Sequence, residues 1–377
     1  MRTRLATAGV AACALAIATP LAVSYSGVAG ADNGQGQNQG QGHSHGQIKH
    51  VLLISVDGMH QSDLDWYAAN HPNSELARLA TGGAEFTKAQ TPVPSDSDPA
   101  GTGLMTGADP KTLGIYYDVE YSHGVFPAGT TNCSGPVPGG NVIYDSPDDS
   151  LPAVQDLLNN GSGNTFPSFD EGGSVYMNGI DQNPSLIMGL TDHPQSGLNP
   201  QTYPVDPKTC QPIQPWDYLQ TNSIFQVIHN AGLRTAWSDK HAIYTSYNGP
   251  GSNGTSIDDF FGPEIDSQAV EPNGKAYPVD GAWTADNAAT KQYDSYKVQA
   301  VINWINGHDH SGNGPSVGTP AVYGMNFQVV STAEKLKSSP AVLIGPDSQG
   351  NYTEGPTLPG GYMTVGGQQV PGPLLQS

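Results

Sequence analysis

Residues 50–58 read His50-Val51-Leu52-Leu53-Ile54-Ser55-Val56-Asp57-Gly58, an apolar run that stops on a carboxylate and a glycine. A short run without polar alternation predicts a strand buried on both faces, as parallel sheets contain. A carboxylate at the end of such a strand is costly unless paired or bound to a cation. Asp-Gly is also ordinary turn chemistry, so both readings stand at this point.

Outward from that strand, the sequence alternates helices and strands. A helix is predicted over 74–80, with Leu76, Leu79 and Ala80 on one face and Gly82-Gly83 to end it. A strand is expected near 84–87, then a helix from Pro99, a residue favoured at the first helical position, to just before Gly107. Further on come a helix over 221–231 with Ile224, Phe225, Val227 and Ile228 as its apolar face, and a strand over 234–237. A helix over 293–306 follows, with Val298, Val301, Ile302 and Ile305 at helical spacing, and a strand over 320–326. The Gly-, Pro-, Asn- and Asp-rich stretch 108–220 is too long for an ordinary connection and reads as an insertion of loops and short strands. This pattern implies an α/β fold, a mostly parallel sheet flanked by helices. Such sheets bind ligands at the carboxyl ends of their strands. Here those ends carry Asp57, the loop before Pro99, Asp239-Lys240-His241 and Asn326.

The N-terminus has the pattern of a signal peptide over 1–31: Arg2 and Arg4, an apolar run over 5–23, and Ala29-Gly30-Ala31 as the cleavage site. Pro20, Ser24 and Ser26 interrupt the run before it suits a membrane anchor. Residues 32–47 form a Gly/Gln/His-rich linker containing His43 and His45, and the folded part is expected over 48–377. Cleavage takes two of the 14 basic residues, leaving 12 against 34 acidic ones, a net charge of −22. That balance argues against nucleic acid polymers as partners and is compatible with bound divalent cations. Cys13 goes with the signal, and Cys133 and Cys210 remain in loop sequence, suited to one disulfide in an oxidising compartment.

The segment Pro94-Ser95-Asp96-Ser97-Asp98-Pro99-Ala100 places Ser97 just ahead of a helix N-terminus, where backbone N–H groups favour an anion. A serine there can attack phosphorus if a metal lowers its pKa. Ser97 and Asp98 are equally suited to plain helix capping.

Three stretches together carry a resemblance: KHVLLISVDGMHQSDL at 49–64, TPVPSDSDPAGTGLMTGADPKTLGIYYD at 91–118 and TNSIFQVIHNAGLRTAWSDKHAIY at 221–244. They resemble the type I phosphodiesterase/nucleotide pyrophosphatase branch of the alkaline phosphatase superfamily, over residues 48 to 335. The resemblance implies an alkaline-phosphatase-like fold and a two-metal phosphoryl-transfer site, usually zinc, with manganese as an alternative. It implies that Asp57 is a metal ligand and that Ser97 is both ligand and nucleophile, forming a serine phospho-enzyme. The substrate class it implies is a small phosphate mono- or diester, such as a nucleotide. Ala100 stands where many relatives have Asn, Asp98 brings charge towards the anion site, and Asn326 and Val330 stand where many carry Asp and His.

Nothing resembling the family's later metal ligands precedes Ser377, so a C-terminally shortened member with an exposed apolar sheet edge is expected. A non-catalytic remnant is the rival reading. A sulfatase-like hydrolase is a third, disfavoured because no Arg follows Ser97 nearby. Lys240, His241 and Asn326 are candidate substrate contacts. Tyr116, Tyr117 and Tyr121 either line a pocket or pack under the insertion, and His308-Asp309-His310 reads as a solvated turn.

Overall fold

A computed structural model describes residues 48–143, 183–194, 200–278 and 281–377. The signal peptide, the linker and the middle of the expected insertion lie outside these residues, and everything described falls within one unit, Gly46–Ser377.

Among the described residues, four parallel strands build the main sheet: β1 (Val51–Val56), β4 (Thr235–Ser238), β5 (Asp259–Phe261) and β6 (Val322–Phe327). Their order is β1-β6-β4-β5, so β6 joins the first strand to the middle of the chain. The class is mixed α/β, consistent with the alkaline-phosphatase-like architecture. A hairpin of β2 (Val119–Ser122) and β3 (Gly140–Ile143) carries Cys133 in its loop, and a disulfide joins Cys133 to Cys210.

Local chemistry sets the helix starts. Ser74 accepts from the Ala77 amide and caps α2 (Glu75–Gly82), and Ser223 accepts from the Gln226 amide and caps α5 (Ile224–Asn230). Asp286 accepts from the Ala289 amide and caps α6 (Asn287–Ile305). The other helices that frame the site are α1 (Gln61–Asn70), α3 (Ser97–Thr106), α4 (Pro110–Leu113) and, after β6, α7 (Val329–Lys335).

Several expectations change. Among the described residues β1 is an edge strand, not one buried on both faces: Val51, Leu52 and Ile54 are 46%, 43% and 48% exposed, and Leu53 faces the core. Residues 84–87 form no strand, and Phe86 is exposed. The third helix begins at Ser97, not Pro99, because Asp96 provides the cap. On α2 the buried residue is Ala77, while Leu76 and Leu79 face out. On α5 Phe225 is buried, and Ile224 and Val227 are exposed. Helix α6 buries Tyr293, Lys297, Ala300, Val301 and Trp304, whereas Ile302 and Ile305 are exposed. A lysine on that buried stripe disguises it in the hydropathy pattern, which explains the misread face. His310 is not solvated but buried against Asp259 and stacked on Phe261.

Candidate active site

Asp57 follows β1 directly, and its amide donates to the Phe327 carbonyl, which fixes the chain at the carboxyl end of the sheet. Ser97 is the first residue of α3, and Lys240 follows β4 by two residues. These three come together. The Lys240 ammonium donates to Ser97 Oγ at 2.9 Å and lies 3.6 Å from Asp57 Oδ2. Both charged side chains are largely withdrawn from water, at 12% and 21% exposure. An ammonium has donors only. It therefore steadies negative charge on Oγ and, in that state, cannot take the serine's proton.

The N-terminus of α3 differs from the free anion cradle that the sequence suggested. Asp96 Oδ1 accepts from the Ser97 amide at 3.1 Å, and Asp118 Oδ1 accepts from the Asp98 amide at 2.7 Å. Asp96 Oδ2 in turn accepts from the Asp118 amide. Pro99 has no N–H, and the Ala100 amide bonds the Asp96 carbonyl. Burial pushes the Asp118 carboxyl up and Asp96 adds to the rise, while the Asp98 amide and Lys240 oppose it. Lys240 thus serves as the cation within a ring of acids.

Asn326 lies on β6, between the strands that deliver Asp57 and Lys240. Its Nδ2 donates to Asp239 Oδ1 at 3.4 Å, and its buried Oδ1 has no hydrogen-bond partner. Asp239 also accepts from the Trp237 indole at 2.7 Å; burial raises its pKa, with Lys297 opposing. Lys297 donates to the Asn326 carbonyl and pairs with Asp294 Oδ1 at 3.1 Å. Asp294 caps the turn after β6 by accepting from the Gln328 and Val329 amides. The sequence reading missed Lys297 and Asp294. Their i,i+3 spacing inside an apolar helix was the available signal.

His241 forms a buried pair with Glu264, at 2.6 Å. Beside it lies a cavity of about 350 Å³, whose lining includes Lys240, Asp266, Gln328 and Lys335. Tyr116, Tyr117 and Tyr121 are all more than 40% exposed and line a separate groove of about 690 Å³.

Among the described residues, two groups have donor chemistry for a metal ion: His60, Asp63 and Glu334, and His241, Glu264 and Asp266. Within each group the donor atoms lie within 4.8 Å of one another. Neither group contains Asp57 or Ser97.

The fold and this arrangement define an α/β protein with a serine–lysine–aspartate centre at its strand ends. Residues 51–130, which carry Asp57 and Ser97, match the family model of Type I phosphodiesterase / nucleotide pyrophosphatase. The match points to a hydrolase of phosphodiesterase or pyrophosphatase type. No curated protein and no solved structure matches the chain.

Proposed function

We propose that this chain hydrolyses small phosphate mono- or diesters, nucleotides among them, through a phosphoryl intermediate on Ser97. The observation that carries this reading is Ser97 Oγ at the first turn of α3, held by Lys240, which also pairs with Asp57. In the first step Oγ forms a bond to phosphorus, the bond to the leaving alcohol's oxygen breaks, and the serine's proton ends on that leaving oxygen. Lys240 stabilises the charge that develops on Oγ and on the phosphoryl oxygens. Water then cleaves the Ser97–phosphorus bond and returns the hydroxyl.

The family's chemistry implies a divalent cation, zinc or manganese. Asp57 and Ser97 converge on one cationic atom, and Asn326 Oδ1 nearby on β6 is buried without a partner. These oxygen donors suit one such cation, which Asp57 and Ser97 would hold, with Asn326 offering a further oxygen from β6. Bound there, it would lower the serine's pKa and neutralise phosphate charge. Export of the chain belongs to the same reading and rests on the signal pattern over 1–31. No helix among the described residues is long and apolar enough to cross a membrane.

A second reading, a non-catalytic protein, draws on the same centre. Lys240 already satisfies Asp57 and Ser97, and acids occupy the α3 amides. Hydrolysis of 4-nitrophenyl phosphate, bis(4-nitrophenyl) phosphate and 4-nitrophenyl sulfate, with zinc or manganese added, separates the two. We expect phosphate-ester turnover that drops by about 1,000-fold or more in Ser97→Ala. Folded protein with no turnover of any phosphate ester would sink the hydrolase reading.

A further inference from the structure

We propose that His60, Asp63, Glu334 and Tyr362 form a binding site for one divalent cation of the zinc or manganese class, which clamps the segment after Asp57 to α7 and to the hairpin of Tyr362–Val365 and Gln368–Pro371. This inference does not depend on the hydrolase reading.

Four heteroatoms from three distant segments converge here. Asp63 Oδ2 accepts from the His60 amide at 2.8 Å and lies 2.8 Å from the Tyr362 hydroxyl. That hydroxyl is also 2.6 Å from Glu334 Oε1. His60 Nδ1 lies 2.9 Å from the Tyr362 oxygen, 3.2 Å from Glu334 Oε1 and 3.3 Å from Asp63 Oδ2. A phenol has one proton and Nδ1 at most one. Between them they leave two carboxylates and several lone pairs facing a common point.

Two further observations point to a cation. Asp63 is only 8% exposed, yet its Oδ1 has no hydrogen-bond partner. Among the described residues, Asp63 and Glu334 both pair with His60, so two negative charges face at most one positive. Like charges in a shared, half-buried site are unfavourable without a counter-ion. Imidazole nitrogen with carboxylate and phenol oxygen is a donor set that zinc or manganese accepts, whereas calcium prefers oxygen alone.

The position gives the site a consequence. Gly58, one residue past Asp57, has a φ of +81°, and a Cβ there would lie 2.8 Å from Glu334 Oε2. Glu334 thus packs on the backbone that carries Asp57. A cation at Glu334 would fix that backbone to α1, α7 and the hairpin at once.

The test uses the full chain carrying Asp57→Asn and Ser97→Ala, which removes the centre around Ser97, after dialysis against a chelator. Calorimetric titration with zinc and with manganese should show one saturable equivalent whose affinity falls at least about tenfold on adding Glu334→Gln or, separately, His60→Ala. His60 is 63% exposed, so its replacement leaves the packing intact should Glu334→Gln disturb the fold. The near-ultraviolet phenol band should also shift on metal addition and lose part of that shift in Tyr362→Phe. His43 and His45 are common to every variant and cancel in the comparison. No saturable binding, or equal binding in all variants, would overturn the proposal.

Discussion

Asp259 and His310 show how single residues here combine burial with charge. Asp259 Oδ1 is 2.6 Å from His310 Nδ1, and Oδ2 accepts from the Trp304 indole, the His310 amide and Arg234. The other imidazole nitrogen is 2.9 Å from the Leu190 carbonyl. Both ring nitrogens face acceptors, which suits the imidazolium. Burial opposes the charge on each partner, but the hydrogen bond and charge between them outweigh it. The His310 pKa is therefore raised from 6.5 and the Asp259 pKa lowered from 3.8. A raised histidine stabilises the fold fully below 6.5 and loses its contribution as pH climbs through the folded value. A lowered aspartate stabilises it fully above 3.8 and loses its contribution as pH falls through its folded value. Urea unfolding of His310→Ala should therefore show a loss of about 3 kcal/mol within that window, shrinking on the alkaline side. A loss independent of pH would mean that packing alone is at stake. His308-Asp309-His310 looked like a solvated turn because nothing local reveals Asp259, which lies 51 residues away in sequence. The strand-end pattern brought Lys240 towards the crevice of Ser97, but its bond to Ser97 Oγ across 143 residues was not legible. Asp57 and Ser97, by contrast, stand out because a strand end and a capped helix are written in adjacent residues.

At the scale of elements, β1 combines the most legible sequence with the least expected environment. Its apolar run marks a strand clearly, but run length cannot say which strands flank it. Among the described residues β1 pairs only with β6, and Leu52 and Ile54 are about half exposed on that edge strand. Unpaired apolar edges template association. Leu52→Lys and Ile54→Lys should each reduce concentration-dependent light scattering of the purified protein, with circular dichroism unchanged. Scattering equal to that of the parent would show that this edge is not the associating surface. Long periodic elements such as α6 were readable in existence but not in face, because Lys297 sits in the buried stripe. Strand β5 was missed because three residues are too short to show a period.

Over the whole molecule, 34 acidic residues against 14 basic ones give a net charge of −20, a field that disfavours anionic substrates. The few cations at the strand ends therefore matter more than their number suggests. Lys240 holds the nucleophile, Lys335 lines the adjoining cavity and Lys297 braces Asn326 from below. The fold supplies these from segments far apart in sequence, which is why the family-matched stretch 51–130 contains Asp57 and Ser97 but not their cationic partner. The central claim is that Ser97 carries the phosphoryl group during turnover. Its most direct measurement is an acid quench during reaction with bis(4-nitrophenyl) phosphate and manganese, followed by peptide mapping by mass spectrometry. The account predicts a phosphoryl adduct on the peptide containing Ser97, diminished in Lys240→Ala and missing from Ser97→Ala. Continued turnover in Ser97→Ala, with no adduct on this peptide in the parent protein, would contradict it.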